Sequence, residues 1–387
     1  MSDASITEVA ERAAATGRLA FDTEFMSEGR YFPRLCLVQL AAEDSSGAPL
    51  IATIDPLENH DPAALLPLLT DPDVEVVVHA GRQDLYLLER AWGVRPTNVF
   101  DTQIAAALTS TSNQSSYRLL VGQVLGKSLQ KSESYTHWDQ RPLTAKQLKY
   151  ASQDVEHLLE VADALHKRLE ETGRVEWARV ECRVLETTSG DDRDPNEVFQ
   201  RLTATTDLPP REAAIARELA FWRERTAREQ DRPVRSVLPD RLVTQLARRH
   251  PETLEALKQE RGVGEGILRR YGNQMLAAIR SGEQAPPIKL PRRPELPPWS
   301  AHLTALCDAL VRARCEEQQI ANEMVATRAE IGEVVLETVQ GRDEPRNRLL
   351  TGWRRDIVGE EVLDLLRGDR SLSVGENGHL VVERLSG

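Results

Sequence analysis

The chain has 387 residues, of which 40% are hydrophobic and 28% are charged, and its formal net charge is −12. This length predicts two or three globular domains, and the composition argues against a largely disordered chain. No apolar run reaches the roughly 18 residues of a transmembrane helix and the N-terminus lacks a secretory pattern, so we expect no membrane partner.

Short β-rich runs alternate with helical patterns in the first 110 residues. The predicted strands, bounded by Gly, Pro, Asp or Ser, are residues 19–22, 34–41, 50–55, 74–79 and 99–102. The predicted helices between them are residues 63–69, 84–90 and 103–108. The first three strands follow one another without room for crossover helices, which predicts an antiparallel meander. The expected product is a mixed sheet with helices packed on it.

A helical pattern begins after Thr144 and continues through most of the remaining chain. Thr144 and Gln147 have the spacing of a capping box. Apolar residues from Leu148 to Leu165 recur at helical spacing, which predicts one long helix with a buried face. We expect no strands beyond this point, and residues 371–387 are predicted to fray because they contain only a short apolar patch.

Two helical segments in the second half of the chain resemble each other. Glu229-Gln230 recurs as Glu317-Gln318, and Ile279-Arg280 as Leu366-Arg367, at offsets of 87 to 88 residues. These matches indicate an internal duplication. The predicted segments are an α/β domain (1–172), a helical or irregular linker (173–210), a first helical domain (211–284), a proline-rich linker (285–298), a second helical domain (299–372) and a tail (373–387).

Acidic residues mark three of the predicted elements. Asp22 and Glu24 lie on one face of the first strand, Asp84 lies in the first turn of a helix, and Tyr150 and Asp154 share a helix face. Each feature alone has an ordinary structural explanation, such as a solvated strand end or a helix N-terminal acid. Together the carboxylates are typical of a phosphodiesterase site with two Mg²⁺ or Mn²⁺ ions.

Two nearby residues are not interpreted as ligands. Asp101, at the end of the fifth predicted strand, is predicted to cap the following helix. His79 is interpreted as a strand-end histidine whose hydrogen bonds are satisfied within the fold. The four cysteines are far apart in sequence, which argues against a zinc site or a disulfide framework and is typical of a reducing cytoplasm.

Three sequence motifs resemble those of the DEDD 3′–5′ exonucleases that have a tyrosine in the third motif. They are Phe21-Asp22-Thr23-Glu24-Phe25, His79-Ala80-Gly81-Arg82-Gln83-Asp84 and Tyr150-Ala151-Ser152-Gln153-Asp154. With Trp138-Asp139-Gln140-Arg141-Pro142-Leu143, the pattern is similar to the bacterial ribonuclease D branch. Residues 219–233 and Gly262-Val263-Gly264 resemble the HRDC module. The resemblance implies an RNase H-like α/β exonuclease domain followed by two all-α HRDC-like modules.

The resemblance also implies roles for individual residues. Asp22, Glu24 and Asp154 would be the principal ligands of two divalent ions, and Asp84 would hold the second ion partly through water. Tyr150 would orient the attacking water, because an ordinary tyrosine pKa of about 10 makes it a poor base at neutral pH. The implied activity releases 5′-mononucleotides from RNA 3′ ends, with tRNA precursors as substrates. No Walker loop is present, so no nucleotide cofactor is expected.

The charge distribution separates the two helical segments. Residues 211–290 carry a net charge of +5, whereas residues 1–210 carry −13 and residues 291–387 carry −4. Candidate phosphate contacts in the basic segment are Arg248, Arg249, Arg269 and Arg270, although a solvated helix face explains them equally well. Phe25 is a candidate for stacking on the terminal base, with core packing as the alternative. The acidic second segment is expected to dock on the rest of the protein or shape the entrance to the site.

Two other activities fit the same residues. A 3′–5′ DNA exonuclease would use the same acids, because contacts to the 2′-hydroxyl are not visible in a sequence. A catalytically inactive RNA-binding scaffold is disfavoured, since RNA binding alone requires neither the four acids nor Tyr150. Residues 297–370 could also form a protein-interaction platform.

Overall fold

In a computed structural model, the described residues are 5–44, 46–110, 115–129, 136–187, 195–203, 207–290, 297–342 and 345–385. The chain forms two compact units. The first contains Met1–Glu24, Cys36–Thr188 and Pro294–Gly387, and the second contains Phe25–Leu35 and Ser189–Arg293. A stretch with the length and apolarity of a membrane span is not found among the described helices.

Five strands form the sheet of the first unit. They are β1 (Arg18–Met26), β2 (Arg34–Glu43), β3 (Pro49–Ile54), β4 (Glu75–Val78) and β5 (Val99–Asp101). Their order is β3-β2-β1-β4-β5; β2 and β3 pair antiparallel, whereas β4 pairs parallel with both β1 and β5. The predicted mixed sheet is therefore confirmed. The register places the C-terminal ends of β1, β4 and β5 at one edge of the sheet.

Eight helices accompany this sheet in the described part of the first 187 residues. They are α1 (Ile6–Thr16), α2 (Leu66–Thr70), α3 (Arg82–Trp92), α4 (Thr102–Ala107), α5 (Tyr117–Leu125), α6 (Ala145–Val155), α7 (Leu158–Glu171) and α8 (Val175–Thr187). The predicted helices overlap α2, α3 and α4. Helices α1 and α5 were not predicted, and a 3₁₀ turn follows β3 at Pro56–Glu58.

The single long helix predicted after Thr144 is wrong, because the chain turns between α6 and α7. The predicted capping box is present: Thr144 Oγ1 accepts from the Gln147 amide at 3.2 Å, and Gln147 Oε1 accepts from the Thr144 amide at 2.9 Å. At the turn, the His157 amide donates to Tyr117 Oη at 3.2 Å. Leu148, at the start of the predicted apolar stripe, is exposed, but Ala151 and Val155 before the turn and Leu158 to Leu165 after it include the buried positions of the stripe, so its periodicity did not reveal the break.

Helix α8 lies inside the segment predicted as a linker and packs on the sheet edge. The amide of Val99 donates to Glu186 Oε1 at 2.8 Å, and the amide of Asp101 donates to Cys182 Sγ at 3.3 Å. Residues 188–194 of the predicted linker and residues 291–296 of the proline-rich linker lie outside the described residues. The bounds of the six predicted segments stay a prediction.

The second unit is helical apart from the residues it takes from β1, β2 and their connection. Its helices are α9 (Pro195–Thr203), α10 (Pro210–Glu229), α11 (Val234–Val237), α12 (Asp240–Arg249), α13 (Leu254–Gln259) and α14 (Glu265–Gln284). Helices α10 and α14 approach closely at Gly282, where an added Cβ would lie 2.4 Å from Ile215 Cα. Asp231 also accepts backbone hydrogen bonds from Tyr31 and Phe32, at 3.2 and 3.0 Å.

The C-terminal residues repeat the start of this helical pattern. The elements are α15 (Pro298–Gln318), α16 (Asn322–Val325), α17 (Arg328–Val339), a 3₁₀ turn (Arg348–Leu350), α18 (Gly352–Arg354), a π-helical segment (Arg355–Gly359) and α19 (Glu360–Arg367). Helices α15, α16 and α17 begin 88 residues after α10, α11 and α12, respectively. This regular offset supports the predicted duplication.

The expectation of a frayed, strand-free tail is wrong. Strands β6 (Arg370–Val374) and β7 (Leu380–Arg384) form an antiparallel hairpin, closed by a 3₁₀ turn at Glu376–Gly378. Leu372 faces Val382 across the ladder, and both pack against the hydrophobic core. The short apolar patch seen in the sequence is therefore one strand of a two-stranded ribbon.

The second helical module docks on the sheet domain within the first unit, as the sequence predicts. Arg354 Nη2 forms an ion pair with Glu181 of α8 at 2.7 Å, and Trp353 Nε1 donates to the same carboxylate at 3.2 Å. The Trp353 ring stacks on Trp177 with centroids 5.0 Å apart. Arg174 donates to the carbonyls of Leu108 at 2.8 Å and of Gln318 at 2.7 Å.

We expect Glu181→Leu to weaken this docking strongly. It removes the partner of Arg354, whose side chain is only 8% exposed, and leaving one buried charge without its partner costs about 3–5 kcal/mol. The measurement is the free energy of unfolding in urea. The control is Glu360→Ala, which breaks a pair with side chains 38% and 48% exposed and is expected to cost less than about 1 kcal/mol. Equal losses in the two variants would contradict the assignment of Arg354–Glu181 as a docking contact.

Candidate metal site

Three carboxylates from distant parts of the sequence meet near the C-terminal end of β1. Asp22 and Glu24 project from one face of β1, as the period-two rule predicts, and Asp154 projects from the last turn of α6. One carboxylate oxygen from each residue lies within 4.8 Å of the other two. The predicted convergence of the first-strand acids with Asp154 is therefore present in the fold.

The fourth predicted acid, Asp84, lies beside this group but is not a member of it. It sits in the first turn of α3, is 8% exposed, and accepts a hydrogen bond from the hydroxyl of Thr23. Thr23 points away from Asp22 and Glu24 because side chains alternate along a strand. The hydrogen bond therefore couples β1 to α3. Only the position of Thr23 between two acids could have suggested this role in the sequence.

Asp101 organises the turn that leads to Asp84. It caps α4 as predicted, accepting from the amides of Gln103 at 2.8 Å and Ile104 at 3.4 Å. The same carboxylate accepts from the amides of Ala80 at 3.0 Å and Gly81 at 2.9 Å, which the sequence did not predict. Ala80 has a φ of 56°, and a Cβ on Gly81 would lie 2.5 Å from Val78 Cγ2. Two of these four backbone hydrogen bonds thus hold the tight turn at Ala80 and Gly81, and the other two cap α4.

His79 is satisfied within the fold, as the sequence analysis expects. Its Nδ1 lies 2.9 Å from Thr102 Oγ1, and its Nε2 lies 3.0 Å from the carbonyl oxygen of Ser115. Burial lowers the pKa of the imidazole, which favours the neutral ring at physiological pH. The hydrogen bonds of His79 therefore join the end of β4 to Thr102 and Ser115, and the neutral ring places no positive charge near the carboxylates.

Tyr150 lies one helical turn before Asp154, and its phenol interacts electrostatically with that carboxylate. Burial first, and then the charges of Asp154, Glu24 and Asp22, raise the pKa of the Tyr150 phenol above its ordinary value. The phenol therefore stays protonated at neutral pH and acts as a hydrogen-bond donor. This direction favours the predicted orienting role over proton removal. Among the described residues, Asp154 Oδ2 is a buried oxygen without a hydrogen-bond partner.

The carboxylates are electrostatically strained when no cation is present. Burial raises the pKa of Glu24 to about 9, with further contributions from Asp154 and Asp84. Burial also raises the pKa of Asp154 to about 7, against the lowering effect of the Tyr150 phenol. It raises the pKa of Asp84 to about 6, against the lowering effect of the hydrogen bond from Thr23. The pKa of Asp22 is raised by burial and by all three neighbouring acids. An all-oxygen donor set with one partnerless oxygen fits a hard divalent cation.

The predicted RNA-contact residues belong to the second unit. Arg248 and Arg249 end α12, Arg269 and Arg270 lie near the start of α14, and all four are exposed. Arg248 Nη2 donates to the carbonyl of Asp207 at 2.9 Å. Arg269 and Arg270 line a groove of about 770 Å³ together with Lys258. The RNA-contact roles of these arginines, and that of the half-buried Phe25, stay predictions.

Comparison with known proteins agrees with this geometry. Residues 2–170 match the 3′–5′ exonuclease family, and residues 212–279 match the HRDC domain family. Ribonuclease D of Gluconacetobacter diazotrophicus is 35% identical over 95% of this chain and 92% of its own length. Ribonuclease D of Nitrobacter hamburgensis is 34% identical, with coverage of 98% and 99%.

A solved structure extends the likeness to the whole fold. The structure of Escherichia coli RNase D, described as an exoribonuclease involved in structured RNA processing, superimposes with a TM-score of 0.81 at 29% identity. The match covers 94% of this chain and 96% of that one. The comparisons confirm the resemblance seen in the three sequence motifs. The chain therefore belongs to the ribonuclease D family and is a 3′–5′ exoribonuclease.

Proposed function

We propose that Asp22, Glu24, Asp84 and Asp154 bind two divalent ions, Mg²⁺ or Mn²⁺, and that this exoribonuclease trims the 3′ ends of tRNA precursors in the cytoplasm. The observation that carries the proposal is the meeting of three half-buried carboxylates within 4.8 Å, one of which has a buried oxygen without a protein partner. Such a group of acids is unfavourable in a folded protein unless cations neutralise it.

The side chains divide the work of the proposed reaction. When bound, divalent cations supply positive charge to the scissile phosphate and make water more acidic. Asp22, Glu24 and Asp154 supply the ligand oxygens, and the Thr23 hydrogen bond fixes Asp84 beside them. Tyr150 donates its phenolic proton to a hydrogen bond and so orients the attacking water. Hydrolysis at the terminal linkage releases a 5′-mononucleotide.

Recognition of phosphate and sugar explains a broad base tolerance. Phosphate contacts position a nucleic acid but carry no sequence information directly. The exposed arginines Arg248, Arg249, Arg269 and Arg270 would supply such contacts, and Phe25 would stack on the terminal base. The processing of structured RNA stated for the Escherichia coli relative supports tRNA precursors as the substrate class.

Neutralising a single ligand is expected to abolish turnover while RNA still binds. Asp22→Asn and Asp154→Asn preserve side-chain shape but remove the charge that a cation requires. End-labelled tRNA precursor provides both readouts, nucleotide release and complex formation. Arg342→Gln, which changes an exposed surface pair, is the matched control and should retain wild-type activity. Normal turnover in either carboxylate variant would remove that residue from the mechanism.

Metal affinity is expected to increase with pH. The cation competes with protons, and without metal Asp154 and Glu24 bind protons with pKa values of about 7 and about 9. Raising the pH from 6 to 9 deprotonates Asp154 and about half of Glu24, so the Mg²⁺ dissociation constant should fall across this interval. Calorimetry in two buffers of different ionisation enthalpy measures both the affinity and the protons released. Affinity that is constant over this range, with no proton release, would contradict the shifted pKa values.

Matched RNA and DNA strands distinguish the exoribonuclease from the alternative DNA exonuclease. We expect faster release of 5′-mononucleotides from the RNA strand, in Mg²⁺ and in Mn²⁺, and no release in EDTA. A tRNA precursor with a 3′ extension should be shortened from that end to a defined stop. Preferential cleavage of DNA would overturn the proposed substrate class, and nucleotide release in EDTA would overturn the metal requirement.

A further inference from the structure

The Trp138-Asp139-Gln140-Arg141-Pro142-Leu143 segment has no role in the proposed reaction, yet Arg141 within it is held by an extensive hydrogen-bond network. Its Nε and Nη2 donate to the two carboxylate oxygens of Asp55, both at 2.6 Å. Nη2 also donates to the carbonyl of Cys36 at 2.8 Å. Nη1 donates to the carbonyls of Trp138 and Gln140, at 2.7 and 2.8 Å. Every N–H of the guanidinium group therefore has an acceptor.

The acceptors of Arg141 lie on two separate parts of the fold. Asp55 follows β3, where its carboxylate also accepts from the amides of Leu57 and Glu58 at 3.0 and 3.3 Å, and Cys36 lies in β2. The carbonyls of Trp138 and Gln140 belong to the segment that leads into α6. Because the side chains of Arg141 and Asp55 are only 17% and 10% exposed, this bidentate pair is shielded from water. The guanidinium group thus holds residues 138–141 against β2 and the end of β3.

The fastened segment carries a side chain that touches the site. Trp138 is 3% exposed, and its ring centroid lies 6.0 Å from that of Tyr150. The two ring planes are inclined by 32°, and the indole packs against one side of the phenol ring. At its other end the Tyr150 phenol interacts with the carboxylate of Asp154, one helical turn away. A displacement of Trp138 would leave the phenol free to tilt away from Asp154.

We propose that Arg141, through Asp55 and Trp138, is a positioning residue that holds Tyr150 in its reactive orientation. The proposal rests on the orienting role of Tyr150 in the proposed function. The hydrogen bonds of Arg141 go to none of the four proposed metal-binding acids, so its loss should lower the rate of the chemical step and leave metal and RNA binding intact. Lysine cannot replace it, since an ammonium group has three donors and cannot form the bidentate pair.

The test is a double-mutant cycle of Arg141→Lys and Tyr150→Phe in the full-length protein. We expect Arg141→Lys to lower kcat by about 10–100-fold, the loss that a displacement near 1 Å produces, while KM and the half-saturating Mg²⁺ concentration stay within about twofold. The same substitution in the Tyr150→Phe background should cost little further activity, because the orienting phenol is already gone. Asp55→Asn, which keeps the shape of the acceptor, should show a weaker form of the same pattern.

A matched control and the contradicting outcomes complete the test of the positioning role. Arg354→Lys is the matched control, because it alters another buried, ion-paired arginine and should lower stability without changing kcat. Losses that multiply fully in the double mutant, or a fall in kcat accompanied by weakened Mg²⁺ binding, would overturn the positioning role. Wild-type kcat in Arg141→Lys would overturn it as well. Wild-type kcat in Tyr150→Phe would instead refute the role of Tyr150 in the proposed function, and so the two failures are distinguishable.

Discussion

Mutual repulsion among half-buried carboxylates is the constraint on which the site depends. One carboxylate oxygen each from Asp22, Glu24 and Asp154 lies within 4.8 Å of the other two. Burial raises the pKa of all three, and neighbouring acids raise those of Asp22 and Glu24 further. Such a group would move apart or take up protons unless the surrounding fold held it in place. The sheet supplies this rigidity, since β1 is an inner strand with neighbours on both sides. Two further sets of hydrogen bonds complete the support. Thr23 donates to Asp84, and four backbone amides donate to Asp101.

Much of this site is readable from the sequence because its residues occupy positions with simple geometric rules. Asp22 and Glu24 follow the period of a strand, Asp84 begins a helix, and Tyr150 and Asp154 are one turn apart. The contacts that support the site were harder to predict from the sequence. The second pair of hydrogen bonds to Asp101 depends on the parallel alignment of β4 with β5, which brings residues 20 positions apart together. The same holds for Thr23 and Asp84, which are 61 positions apart.

The errors in the predicted fold have similar physical causes. The apolar stripe continues across the turn between α6 and α7, so periodicity alone showed one helix where Tyr117 stabilises a break. The tail was expected to fray because the apolar patch of β7 is short, and its pairing with β6 requires a partner strand that has little hydrophobic pattern of its own. Docking of the second helical module was predicted from its acidic charge. The specific contacts, Arg354 with Glu181 and Trp353 with Trp177, could not be identified without the fold.

The buried guanidinium of Arg174 joins residues made early in synthesis to residues made late. It donates to the carbonyls of Leu108 and Gln318, and the surrounding hydrophobic cluster runs from Ala20 through Val155 to Leu363. A ribosome therefore releases the N-terminal strands long before their last packing partners emerge, and contacts of such large sequence separation form slowly. Until residues 307–363 have been translated, the nascent exonuclease domain therefore lacks part of its hydrophobic core.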